Sequence, residues 1–254
     1  MNTSSRGTGI EVRNLTKSYG PATAVDDLTF RCEPGSVTGF LGPNGAGKST
    51  TLRILTSLAR ADSGEALIGG RPYRELDTPA RTVGVMLDAR ALHPGRTGFE
   101  TLRLAAATAG VAPARAREVF DLVGLTGAER KRVAGYSYGM RQRLGIGVAL
   151  IGEPDVLILD EPANGLDPDG IRWMRRMLRS FADAGGTVLL SSHQLAEVQA
   201  TVDQLIVISN GHLVRQGTLD EITDAVGATR VRVTEPQKLT AALRTMGCAT
   251  TDLG

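Results

Sequence analysis

Residues Gly42-Pro43-Asn44-Gly45-Ala46-Gly47-Lys48-Ser49-Thr50 fill the pattern G-x-x-x-x-G-K-[ST], a spacing with a defined chemical use. Glycines at 42, 45 and 47 let the backbone curl until successive N–H groups point inward, making a nest for phosphate oxygens. Lys48 adds a positive charge at the β- and γ-phosphates, and the Ser49 hydroxyl is placed to ligate Mg²⁺. A helix starting near Lys48 aims unpaired N–H groups and about half a positive charge at the same anion. Alone, the loop implies a bound nucleoside triphosphate and says nothing of its use.

Two further stretches carry polar groups to the ends of apolar runs. Val156-Leu157-Ile158-Leu159 runs into Asp160-Glu161. Beside a phosphate loop, an Asp there holds Mg²⁺, commonly through water. Successive strand residues point to opposite sides, so a continuing strand cannot turn both carboxylates to the metal. Glu161 is then left to approach the attacking water as general base or orienting group. Strands ending in solvated acids are common, and the loop upstream is what favours the chemical reading. Ser191-Ser192-His193 follows Thr187-Val188-Leu189-Leu190. A lone histidine is more often structural, but at a strand end its imidazole can donate a hydrogen bond to a γ-phosphate. In Tyr136-Ser137-Tyr138-Gly139-Met140-Arg141-Gln142-Arg143, Ser137 is an N-cap ahead of an amphipathic helix, Arg141 to Leu150. That helix start is a second anion site, unexpected beside a complete phosphate loop.

The elements that must position these groups follow from periodicity. Val37–Leu41 is a short apolar run before the loop, predicted to be a buried strand, and Thr51–Leu58 has helical spacing after it. Ile10–Arg13 and Leu28–Cys32 alternate as half-buried antiparallel strands; Ala66–Ile68 and Val83–Leu87 are further strands. From about Gly98 to Ala128 the pattern is helical with Gly and Pro breaks. Strand 156–159, helix 171–184 and strand 187–190 then alternate, which implies parallel strands with crossover helices. The expected class is α/β: a P-loop nucleotide-hydrolase core with a mixed or parallel sheet, an N-terminal antiparallel β region and a helical subdomain insertion. Beyond Asp224 the signal fades to a strand over 231–233 and a short helix over 239–243.

Composition narrows the class. The apolar fraction of 41% and charged fraction of 22% are those of an ordinary globular protein. A net charge of +2 is too small to argue for a nucleic-acid surface. Cys32 and Cys248 have no metal-ligand spacing, so free thiols in a reducing compartment are expected. No signal peptide is read at the N-terminus, and no apolar stretch nears the ~20 residues that cross a bilayer. A membrane role has to come through a partner.

Taken together, the loop, the Ser137 helix start, the acidic strand, Asn164-Gly165-Leu166-Asp167-Pro168 and His193 occur in the order of the ATP-binding cassette family, which the chain resembles from about Ile10 to Ala225. The resemblance is to the bacterial subfamily exporting antibiotics and peptides. It implies an ATPase driving a separate transmembrane permease from the inner face of the cell membrane, with ATP and Mg²⁺ as cofactors and no nucleic acid. It also implies a second nucleotide-binding subunit, homo- or heterodimeric, whose Ser137, Tyr138, Gly139 and Met140 close over ATP held by Gly42 to Thr50 of the first. Asp167 would lie in the loop that communicates across the pair, and Tyr19 would stack on adenine. Asp88 stands where the family usually has a glutamine contacting Mg²⁺. A carboxylate can ligate the ion but adds negative charge beside phosphates and cannot donate a hydrogen bond. Tyr138 and Met140 stand where Gly and Gln are usual. The nucleotide-binding domain is expected over 9–226, with its helical subdomain at about 90–150 and a tail at 227–254. The loop Ala89 to Thr97 is the expected contact for the membrane partner. A non-transport cassette ATPase acting on nucleic acid or ribosomes, and a small-molecule kinase, are the rival readings.

Overall fold

The computed structural model describes residues 7–224. The strand and helix expected at 231–233 and 239–243, and the tail 227–254, lie outside the described residues.

The central sheet has strands β3 (Val37–Leu41), β5 (Val83–Met86), β6 (Val156–Leu159), β7 (Thr187–Ser192), β8 (Gln204–Ser209) and β9 (His212–Gly217) in the order β5-β6-β7-β3-β8-β9. All neighbours are parallel except the β8–β9 hairpin. The β8–β9 hairpin is an addition to the elements expected from periodicity, and it turns at Asn210-Gly211 after the apolar run 205–208. The antiparallel sheet expected at the N-terminus is present, in the order β2-β1-β4: β1 (Ile10–Tyr19), β2 (Ala22–Cys32) and β4 (Ser63–Ile68). Its strands are longer than the sequence predicted because bulges between Val12 and Ser18 carry the pairing past the break in alternation.

Helix α1 (Lys48–Leu55) follows β3, and α2 (Pro79–Thr82) leads into β5. The helical insertion comprises α3 (Gly98–Ala109), α4 (Arg115–Leu122) and α5 (Tyr138–Leu150); α6 (Pro168–Asp183) crosses from β6 to β7, and α7 (Leu195–Val198) follows β7. The first helix starts at Lys48, as expected, and ends at Leu55 with Thr56 as its cap, short of the run to Leu58, because Ser57 takes a φ of +57°. Breaks in the insertion fall where glycine and proline foretold: Gly110 caps α3 in the left-handed region, and Pro113 precedes α4.

Strand alternation divides the interior. Phe40, Val156, Ile158, Leu189 and Ile206 point to one face, joining Leu52 and Leu55 of α1 and Ile10, Val12 and Phe30 of the antiparallel sheet. Val37, Leu41, Leu157, Leu159, Val188 and Leu190 point to the other, against Met174 and Leu178 of α6 and Ile146 of α5. Sheet residues buried on both faces read as near-continuous apolar runs, as parallel strands do. A third core, with Leu102, Val119, Phe120 and Leu144, holds the helical insertion together.

Candidate nucleotide site

In an open parallel sheet, loops at the carboxyl ends of neighbouring strands meet. The order β6-β7-β3 therefore brings three sequence-distant stretches together: Asp160-Glu161 after β6, Ser191 to His193 at the end of β7, and the phosphate loop after β3. Glycine is required in that loop by contact. A Cβ on Gly42 would stand 2.5 Å from the Ile208 carbonyl oxygen, and one on Gly47, at φ +104°, would stand 2.4 Å from that of Ala24. Lys48 is buried, and its Nζ donates to the Gly42 and Pro43 carbonyls at 2.6 and 3.2 Å. The same Nζ lies 3.8 Å from a Glu161 carboxylate oxygen. Ser49 Oγ donates to Asp160 Oδ2 at 2.6 Å.

The strand does not continue through the two carboxylates. Strand β6 ends at Leu159, and Glu161 adopts φ +48°, a left-handed conformation rare for a non-glycine residue. The alternation that would separate two strand carboxylates has stopped. Asp160 and Glu161 both reach the phosphate loop, through Ser49 and Lys48 respectively.

The peptide of Glu161 is held on both sides by residues given no role from the sequence. Its N–H donates to Ser191 Oγ at 2.9 Å, and its carbonyl accepts from Gln142 Nε2 at 2.9 Å. Ser191 Oγ in turn donates to the second oxygen of Asp160. Local sequence carries no sign of these links, which join residues 19 to 31 positions apart.

His193 Nδ1 lies 2.9 Å from Glu161 Oε2, and its Nε2 lies 2.9 Å from the Gln194 side-chain nitrogen. An amide nitrogen only donates, so with that amide orientation Nε2 accepts and Nδ1 carries the proton towards Glu161. The ring is thus engaged with the carboxylate at the site. Asp88 is engaged locally instead. It caps a turn at 89–91 by accepting from the Arg90 N–H at 2.8 Å, and pairs with the Arg90 side chain at 3.0 Å. The hydrogen bond from that guanidinium holds its carboxyl below the usual aspartate range, against an opposing desolvation. Tyr19, at the end of β1, is half-exposed, with Lys17 Nζ 5.3 Å from its ring centroid.

The Ser137 stretch forms a separate place. Ser137 caps α5 as expected, its Oγ accepting from the Met140 N–H at 3.2 Å, with helical geometry beginning at Tyr138 rather than Arg141. Ser137, Tyr138, Gly139, Met140, Gly165 and Asp167 line a recess of about 370 Å³. The Tyr138 ring lies on Gly165, where a Cβ would come within 1.8 Å of it. Asp167 caps α6 by accepting from the Gly170 N–H at 2.8 Å. No residue of the phosphate loop lines this recess.

The chain matches the "ABC transporter" family model over residues 25–164. It is 38% identical over 240 residues to the uncharacterized ABC transporter ATP-binding protein YhcH of Bacillus subtilis (strain 168), covering 93% of this chain and 79% of that protein. The daunorubicin/doxorubicin resistance ATP-binding protein DrrA of Streptomyces peucetius is 39% identical (88% of this chain, 69% of that protein). The bacitracin transport ATP-binding protein BcrA of Enterococcus faecalis is 38% identical (84% and 70%). Among solved structures, an ATP-binding subunit of an ABC transporter superposes with a TM-score of 0.78 at 30% identity, covering 92% of this chain and 99% of that one. The chain belongs to the ABC transporter family, as one of its ATP-binding, ATP-hydrolysing subunits.

Proposed function

We propose that this chain drives an exporter of antibiotics, peptides or similar compounds, by hydrolysing ATP against a separate transmembrane permease at the inner face of the cell membrane. The observation that carries the hydrolytic part is the left-handed Glu161, which sets its carboxylate beside Lys48 and His193 at the mouth of the phosphate loop. The export direction rests on similarity to relatives named for bacitracin and for daunorubicin/doxorubicin resistance. No helix among the described residues is long and apolar enough to cross a membrane, which is in keeping with a separate permease.

The roles follow from the chemistry of each group. Backbone N–H groups of Gly42 to Thr50 bind the phosphates, and Lys48 offsets their charge. Ser49 and Asp160 offer hydroxyl and carboxylate oxygens 2.6 Å apart, a hard-oxygen set that fits Mg²⁺. When bound, that ion would spread the charge of the β- and γ-phosphate oxygens. Asp88, tied to Arg90, reaches the ion only by giving up that pair. Glu161 orients the water that attacks the γ-phosphorus and takes its proton as the bond to the β-phosphate oxygen breaks. His193, donating to Glu161, fixes that carboxylate's direction. Tyr19 offers an exposed ring for adenine. The domain is proposed over 9–226, with the helical part at about 90–150. The recess of Ser137, Tyr138, Gly139, Met140 and Asp167 is proposed to meet the ATP of a second subunit, and loop 89–97 to meet the permease.

Glu161→Gln keeps the shape of the side chain and removes its basicity. It is expected to bind ATP like the parent and to lose turnover by roughly 100-fold or more, in the range of general-base contributions. A single-turnover assay beside a nucleotide-binding titration checks this, and parental hydrolysis in the variant would remove Glu161 from the mechanism.

A further inference from the structure

We infer that Gln142 is a positioning residue for Glu161, joining the helix that begins at Ser137 to the carboxylate that directs the attacking water. The inference rests on the reading of Glu161 just given. Gln142 lies one turn into α5 and is 2% exposed. Its Nε2 donates to the Glu161 carbonyl at 2.9 Å, across 19 residues of chain. A carbonyl only accepts, so the amide orientation is fixed by its partner. The other end of the amide, Oε1, is buried with no hydrogen-bond partner among the described residues. A side chain kept for fold stability alone gains little by burying a half-satisfied amide where an apolar residue fits.

What the bond does is set by what it grips. Left-handed backbone at a non-glycine residue persists only when its surroundings over-determine it. At Glu161 the N–H is held by Ser191 and the C=O by Gln142, so the peptides on either side are pinned. Freed of Gln142, the residue can relax towards φ below zero and swing its carboxylate away from Lys48. Because Ser137 to Met140 begin the same helix, a displacement at the recess moves Gln142, and Gln142 moves Glu161. The device lets the recess of one chain regulate that chain's own hydrolysis.

Three variants of the full chain test this, with ATP turnover and thermal melting read together. Gln142→Met keeps length and flexibility and removes the donor. It is expected to lower kcat by about 10-fold to 100-fold, the scale of a small misplacement, with KM for ATP within about twofold of the parent. Its melting temperature should stay close to the parent's, because the unpartnered Oε1 is removed with the donor. Gln142→Glu supplies a donor only while its buried carboxyl is protonated, so its kcat relative to the parent should rise as the pH is lowered. Combined with Glu161→Gln, Gln142→Met should add no further loss. A kcat for Gln142→Met equal to the parent's, with Glu161→Gln inactive, overturns the inference and leaves the role of Glu161 standing. Equal losses in kcat and melting temperature, with no acid rescue in Gln142→Glu, overturn it in favour of a purely structural bond. Parental turnover in Glu161→Gln alone overturns the role of Glu161, and this inference with it.

Discussion

Two acidic residues next to each other, Asp160 and Glu161, reach one site because the backbone turns left-handed at Glu161 and Ser191 of the next strand holds it there. Asp160 binds two hydroxyls, Ser49 and Ser191, while Glu161 meets Lys48 and the His193 ring. The residue types and their order were legible in the sequence, since glycine, lysine and carboxylates at those spacings have few other uses. The left-handed turn was not, because it depends on Ser191 and Gln142, which only the folded sheet brings near. The Asp88–Arg90 pair is local, yet it decides where that carboxylate points more than the family position does. Cys32 gives a test at the same scale. Burial among apolar neighbours pushes its thiol from an ordinary 9.0 up to about 12. A raised folded value stabilises the fold fully below pH 9.0, and that contribution fades as the pH climbs through about 12. In a Cys248→Ser background, Cys32 should resist a thiol-alkylating reagent at pH 8 until denaturant is added; rapid native labelling would show the strand open.

Strands β3, β6 and β7 were readable as mainly apolar runs because both of their faces are buried and their residues alternate between two cores, with Thr38 the one polar residue inside β3 and Thr187, Ser191 and Ser192 at the ends of β7. The β8–β9 hairpin is hard to read from periodicity despite its Asn-Gly turn, since β9 is exposed along its length and lacks an apolar pattern. Among the helices capped by a side chain, α3 starts at Gly98 as expected, while α5 and α6, capped by Ser137 and Asp167, start at Tyr138 and Pro168, ahead of the expected Arg141 and Ile171. Thr97 Oγ1 accepts from the Glu100 N–H at 3.1 Å, and the Glu100 carboxylate accepts from the Thr97 N–H at 2.8 Å, a complete capping box. Thr97→Ala should cost about 1 kcal/mol of stability by urea unfolding and leave ATP affinity unchanged. Ser137→Ala removes a comparable cap, so a similar cost of about 1 kcal/mol is expected. If Ser137 also serves the opposing nucleotide, turnover will fall well beyond that stability change. Equal effects of the two variants on turnover would reduce Ser137 to a cap.

At the scale of the whole molecule, the two places proposed as half-sites are separate. The phosphate loop with Asp160, Glu161 and His193 lies at the carboxyl edge of the sheet, and the Ser137–Asp167 recess opens at the junction of α5 and the start of α6. A head-to-tail pair would set each recess over the other chain's nucleotide, with two ATP molecules between them. ATP would then act as part of the interface, and its hydrolysis would part the subunits. The direct measurement is the mass of Glu161→Gln in solution, by light scattering, with saturating ATP or ADP. The account predicts two chains per particle with ATP and one with ADP. A variant that binds ATP fully and stays a single chain would contradict it.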